Sequence, residues 1–103
     1  MKIKAGNKTE IPIGKVKVIE SQDGERIALC NVRGLFFAIE DVCTHDGGSL
    51  DQGELMDDVI ECPRHGAQFC VTDGRVLSLP AVVPLRTFPV TIEGNDIYVE
   101  VSN

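Results

Sequence analysis

The chain has no tryptophan and a single tyrosine among its 103 residues, so its core must rest on Val, Ile, Leu and four Phe. A basic surplus is also missing: ten Lys and Arg stand against sixteen Asp and Glu, a net charge of −6. Binding to nucleic acid needs a stripe of positive charge to neutralise phosphates, so that class of function is excluded. The acidic balance is compatible with docking on a basic patch of another protein, although a solvated acidic surface is the simpler reading. No apolar run approaches the length of a membrane span. Met1-Lys2-Ile3-Lys4 leads into no apolar segment of the kind found in secretory signals. Four cysteines in a short chain suggest a disulfide framework only in an extracellular context, which nothing here supplies. A reducing cytoplasm is therefore the expected compartment. The length suits one compact domain, 1–103, and leaves little room for a second.

Helical periodicity is absent as well. Short runs separated by turn signals replace it. Residues 15–20 alternate Val16 and Val18 with Lys15 and Lys17, and Asp23-Gly24 follows as a hairpin turn. Segments 26–32 and 35–40 flank Arg33-Gly34, and segments 87–93 and 96–101 flank Gly94-Asn95. Residues 59–61 and 68–72 read as two more strands, the second ending at Asp73-Gly74. Such spacing predicts an all-β fold, a small antiparallel sandwich or barrel. Three stretches, 44–53, 63–66 and 78–84, carry the glycines and prolines of irregular loops.

Histidine is scarce, and its placement is informative. The only two stand in Cys43-Thr44-His45 and Cys62-Pro63-Arg64-His65, with sixteen residues between the pairs. Each pair joins one thiol to one imidazole. A zinc site of two Cys and two His normally groups like ligands with like, in Cys-x(2–4)-Cys and His-x(3–5)-His patterns. A catalytic Cys–His pair would leave the second, similar pair unexplained. Mixed pairs suit a [2Fe–2S] centre of the Rieske type, in which two thiolates hold one iron and two neutral imidazoles the other. Facing loops that each supply Cys and His would satisfy both irons. Gly47, Gly48 and Gly66 would then let the backbone approach the cluster and aim N–H groups at it, a tight turn being the alternative. Cys30 and Cys70 are spare thiols; Cys70 alternates with Phe69 along a strand and reads as a small buried hydrophobe. Glu54, Asp57 and Asp58 read as a solvated loop rather than a docking patch.

Cys43-x-His45, then Cys62-x-x-His65-Gly66, resembles the signature of Rieske domains. The likeness extends over Gly66 to Val71, Leu79-Pro80-Ala81 and the run from Pro84 to Val90, which is similar to Rieske ferredoxins of bacterial aromatic-ring dioxygenase systems, the biphenyl type among them. This resemblance implies a Rieske-like sandwich whose cluster-binding part spans about 41–84, built of two ligand loops and a proline loop. Pro80 would belong to that third loop and shield one side of the cluster. The implied ligands are Cys43 and Cys62 on a buried iron, with His45 and His65 on an outer iron near the surface.

Departures from the family's high-potential branch are informative too. That branch joins its two cluster loops by a disulfide, and Gly48 and Arg64 occupy the corresponding positions here. It also places Ser and Tyr hydroxyls near cluster sulfurs, where this chain has Ala67 and Phe69. Donors to sulfur stabilise the added electron, so their loss predicts a potential near the low end of the Rieske range, roughly −150 mV. The implied function is that of a one-electron carrier, not an enzyme. It would be reduced by a flavin-dependent NAD(P)H reductase, would pass electrons to a terminal oxygenase, and would act as a monomer. Two other readings remain: a small Rieske subunit of a reductase complex, like that of assimilatory nitrite reductase, and a zinc-stabilised interaction module.

Overall fold

A computed structural model describes residues 1–101. These form eleven β-strands and one short 3-10 turn, Lys8–Glu10, with no α-helix among the described residues. Every strand pairing is antiparallel. Among those residues no helix is long and apolar enough to cross a membrane.

The strands make three sheets. The central one orders β2 (Val16–Glu20), β3 (Arg26–Val32), β4 (Leu35–Glu40) and β9 (Thr87–Phe88) side by side. Its β3–β4 hairpin turns on Arg33 and Gly34, whose φ values of 53° and 90° give both central positions the left-handed conformation of a type I′ turn. A terminal sheet places β11 (Asp96–Glu100) between β1 (Lys2–Asn7) and β10 (Val90–Glu93). The third sheet is a meander of β5 (Glu54–Met56), β6 (Val59–Glu61), β7 (Gln68–Cys70) and β8 (Val76–Ser78).

β3 explains how the sheets stack. All of its residues after Arg26 are buried, because both of its faces are covered. Ile27 and Leu29 point into one core with Ala38, Ile97 and Val99. Their neighbours Ala28, Cys30 and Val32 point into a second core with Ile39, Leu50, Ile60, Phe69 and Ala81. Period-2 alternation thus assigns successive residues of one strand to two cores. Full burial of each Ile or Leu contributes about 1.5–3 kcal/mol.

The expected strands at 26–32, 35–40 and 59–61 are present with the same bounds. Segment 87–93 does not form one strand. Pro89 has no N–H to donate, and the chain changes sheets there: Phe88 pairs with Ala38, whereas Val90 pairs with Val99. Segment 68–72 stops at Cys70, where a turn begins. Strands β1, β5 and β8 were not expected from the sequence, since none is a clear alternating run.

Candidate metal centre

The register of the third sheet gathers the loops. Glu54 pairs with Glu61 and Gln68 with Ser78, so β5 begins, β6 ends, β7 begins and β8 ends at a single edge. The connection from β4 to β5 carries Cys43 and His45 to that edge, the β6–β7 connection carries Cys62 and His65, and the β8–β9 connection carries Pro80. Two connections that each bear a Cys and a His, and one that bears Pro80, therefore lie at one edge of this sheet.

Both ligand loops use the same backbone device. Cys43 N donates to Gly48 O at 2.7 Å, and Cys62 N to Ala67 O at 2.7 Å. In turn Gly47 N donates to Cys43 O at 2.7 Å and Gly66 N to Cys62 O at 3.1 Å. Gly47 and Gly66 lie at φ 76° and 77°, a left-handed conformation that costs glycine least and that closes each loop. The expectation that glycine N–H groups point at the cluster is therefore corrected. Those of Gly47 and Gly66 are consumed inside their own loops, and that of Gly48 donates to Asp46 Oδ1 at 2.9 Å. Burial holds the Cys43 thiol up, against the backbone N–H groups of His45 and Asp46, which favour its thiolate form.

Thiols and imidazoles separate by depth. Cys43 and Cys62 are fully buried, and the His45 and His65 rings are exposed, their centroids 5.2 Å apart and nearly perpendicular. Donor atoms gather in two groups, each within 4.8 Å: Cys43, Asp46 and Cys62 inside, His45, Asp46 and His65 outside. Four donors of one tetrahedral zinc would all lie within about 4 Å of one another. Among the described residues no such single group combines the thiols with the imidazoles. The chemistry of this donor set, two soft sulfurs below and two ring nitrogens above, fits a [2Fe–2S] unit bound thiolate-side in and imidazole-side out.

Other side chains frame the site. Ala67 and Phe69 are both buried beneath the second loop and offer no hydroxyl. The proline loop lies against the first ligand loop, with Thr44 Oγ1 donating to Val83 O at 2.5 Å and Ala81 buried in the core below. Asp46 binds Arg64 through two contacts, and that pairing, with the Gly48 N–H, holds its carboxyl well below the usual carboxylate range. Asp41, at the base of the first loop, is a residue that the sequence reading passed over. Its buried carboxylate accepts from Leu50 N at 3.0 Å and Asp51 N at 2.8 Å, and faces Arg26 Nη2 at 2.9 Å. Cys30 and Cys70 are buried; burial pushes the Cys30 thiol up to about 12, and Cys70 Sγ lies 3.0 Å from Thr72 Oγ1. Asp57 pairs with Arg33, and Asp58 Oδ2 accepts from Cys70 Sγ at 3.8 Å, so the acidic residues after β5 are partly used within the fold.

Known proteins can be set against this geometry. Residues 1–89 match the Rieske [2Fe-2S] domain. The ferredoxin component of biphenyl 2,3-dioxygenase from Rhodococcus jostii RHA1 is 53% identical over 76 residues, covering 74% of this chain and 71% of that protein. The biphenyl dioxygenase ferredoxin subunit of Pseudomonas sp. KKS102 is 43% identical over 100 residues, covering 96% and 91%. In a solved complex of reduced oxygenase and oxidized ferredoxin in carbazole 1,9a-dioxygenase, one chain superposes with a TM-score of 0.92 at 36% identity, covering 95% of this chain and 91% of that one. A putative NADH-dependent nitrite reductase small subunit from Mycobacterium tuberculosis reaches a TM-score of 0.87 at 21% identity, covering 100% and 97%, a likeness of fold alone. Donor set, three-loop edge and matched residues agree, and the chain belongs to the Rieske [2Fe–2S] domain family.

Proposed function

We propose that this protein is a cytoplasmic, monomeric one-electron carrier of an aromatic-ring dioxygenase system, with Cys43 and Cys62 holding the inner iron and His45 and His65 the outer one. The cluster supplies one-electron redox chemistry when bound. The observation that carries this reading is the split by depth: thiols fully buried, imidazoles exposed. Buried thiolates keep water from the sulfur side. The exposed imidazole edges offer a short path to a redox partner, which a flavin-dependent NAD(P)H reductase and a terminal oxygenase would use in turn. Relatives named as ferredoxin components of biphenyl dioxygenases support this assignment. With four ligands completing both irons, no coordination position is left for substrate, as suits a carrier.

The imidazoles also link electron and proton. With a cluster bound, His45 and His65 would present a ring N–H to solvent, and an added electron would favour keeping that proton, so the midpoint potential would fall with pH in alkaline solution. Protein-film voltammetry on the anaerobically purified protein tests both points. The expected record is a midpoint below zero at neutral pH, near the low end of the Rieske range, with a decline at alkaline pH. A flat response into strongly alkaline solution contradicts histidine ligation, and a colourless, zinc-containing protein removes the electron-transfer reading altogether.

A further inference from the structure

We propose that Arg64, Asp46 and Gly48 form a charged latch that fastens the two ligand loops to each other, and that Arg64 also donates a hydrogen bond to the sulfur of Cys62. The proposal rests on the ligand assignment above and adds to it two positioning residues and a glycine that no ligand motif requires.

The contacts converge on one guanidinium. Arg64, in the second loop, reaches across to the first, with Nε 2.7 Å from Asp46 Oδ2 and Nη2 3.2 Å from Asp46 Oδ1. Two parallel contacts of this kind fix orientation as well as distance. Nη2 also lies 3.3 Å from Ser49 O and 3.4 Å from Cys62 Sγ. Gly48 makes the crossing possible: a Cβ there would stand 2.0 Å from Arg64 Nη2 and 2.1 Å from Cζ, so any side chain would displace the guanidinium. No covalent bond does this work, since all four cysteines are free. Asp46 Oδ2 is in addition 3.5 Å from His65 Nδ1, so the latch borders a ligand from each end of the site.

Two consequences differ in kind and can be measured apart. As a partly exposed ion pair, with side chains 38% and 20% exposed, the latch holds the loops together modestly and weakens as salt screens it. As a cation and N–H donor beside a ligand sulfur, Arg64 favours the more negative, reduced state and raises the midpoint potential. Asp46 carries the opposite charge, so its removal does not lower the potential.

The test compares full-length, cluster-loaded wild type with Arg64→Gln, Arg64→Lys and Asp46→Asn. Decay of visible absorbance under an iron chelator reports loop opening, and voltammetry reports the potential. Arg64→Gln is expected to release its cluster roughly five-fold faster at low salt and to shift to lower potential. Asp46→Asn should release faster without that downward shift. High salt should speed release from wild type toward the Arg64→Gln rate and leave the variant little changed. Arg64→Lys retains the charge but loses the fork, so it should open faster with a smaller change of potential; it stands in if Arg64→Gln takes up no cluster. Wild-type release and potential in both Arg64 variants would overturn the latch. Failure of the ligand assignment would show separately, as a wild-type spectrum lacking mixed Cys/His ligation.

Discussion

Asp41 illustrates what a single residue contributes to this centre without touching it. Its side chain is fully inaccessible, and it satisfies the N–H groups of Leu50 and Asp51 where the first ligand loop turns back toward β5. A buried N–H left without a partner costs about 1–3 kcal/mol. Asp41→Ala is therefore expected to destabilise the protein by about 2–4 kcal/mol in urea denaturation, the exposed half of Arg26 adding little. Asp41→Asn keeps an acceptor oxygen and should lose less than half as much. Equal losses would mean that charge, not backbone satisfaction, is what position 41 supplies. The spare thiols show the reverse case. Cys30 is sealed in the core with its thiol pushed up to about 12, so it packs as a small apolar side chain and stays protonated at neutral pH.

At the scale of elements, β7 links packing to the site. Phe69 is wholly buried at its centre, pairs with Ile60 of β6, and lies in the core that also includes Cys43 and Cys62. Truncation there removes the largest fully buried side chain beneath both ligand loops. Phe69→Ala should lower the unfolding free energy of the cluster-loaded protein by about 3–5 kcal/mol in urea denaturation, and cluster release should accelerate with it. Loss of stability with unchanged release would separate the core from the loops. The ligand loops themselves need few residues because each closes on its own backbone, through Cys N–H to the carbonyl five residues on and glycine N–H back to the Cys carbonyl. Such loops are defined locally, and the third sheet only has to present them at one edge.

At the scale of the whole molecule, the two cores divide the labour. The core of Ile27, Leu29, Ala38, Ile97 and Val99 contains no residue of either Cys/His loop, whereas the other includes Cys43 and Cys62. Removing the cluster with chelator and reductant should therefore loosen one side of the molecule. Hydrogen exchange is expected to rise at 43–53, 62–67 and 78–84, while the amides of Ile27, Leu29, Ile97 and Val99 stay protected. Uniform loss of protection would show that the cluster supports the entire fold. The net charge of −6 belongs to this scale as well, as a surface property that the metal chemistry does not require.

Read alone, the sequence determined the strand-rich class, the hairpins at Arg33-Gly34 and Gly94-Asn95, and the Cys/His motif that marks the family. All of these are local: turn chemistry acts over two residues, alternation over a few, and a ligand pair over three or four. Tertiary structure decided what depends on residues distant in the chain. It broke 87–93 at Pro89 between two sheets, paired β1 with β11 from opposite ends of the chain, buried Asp41 under the loop it holds, and gave the glycine N–H groups to their own loops. It also set Arg64 over Gly48, sixteen residues away. Each of these outcomes follows from which faces are covered and which groups meet in space, and short-range pattern carries no record of either.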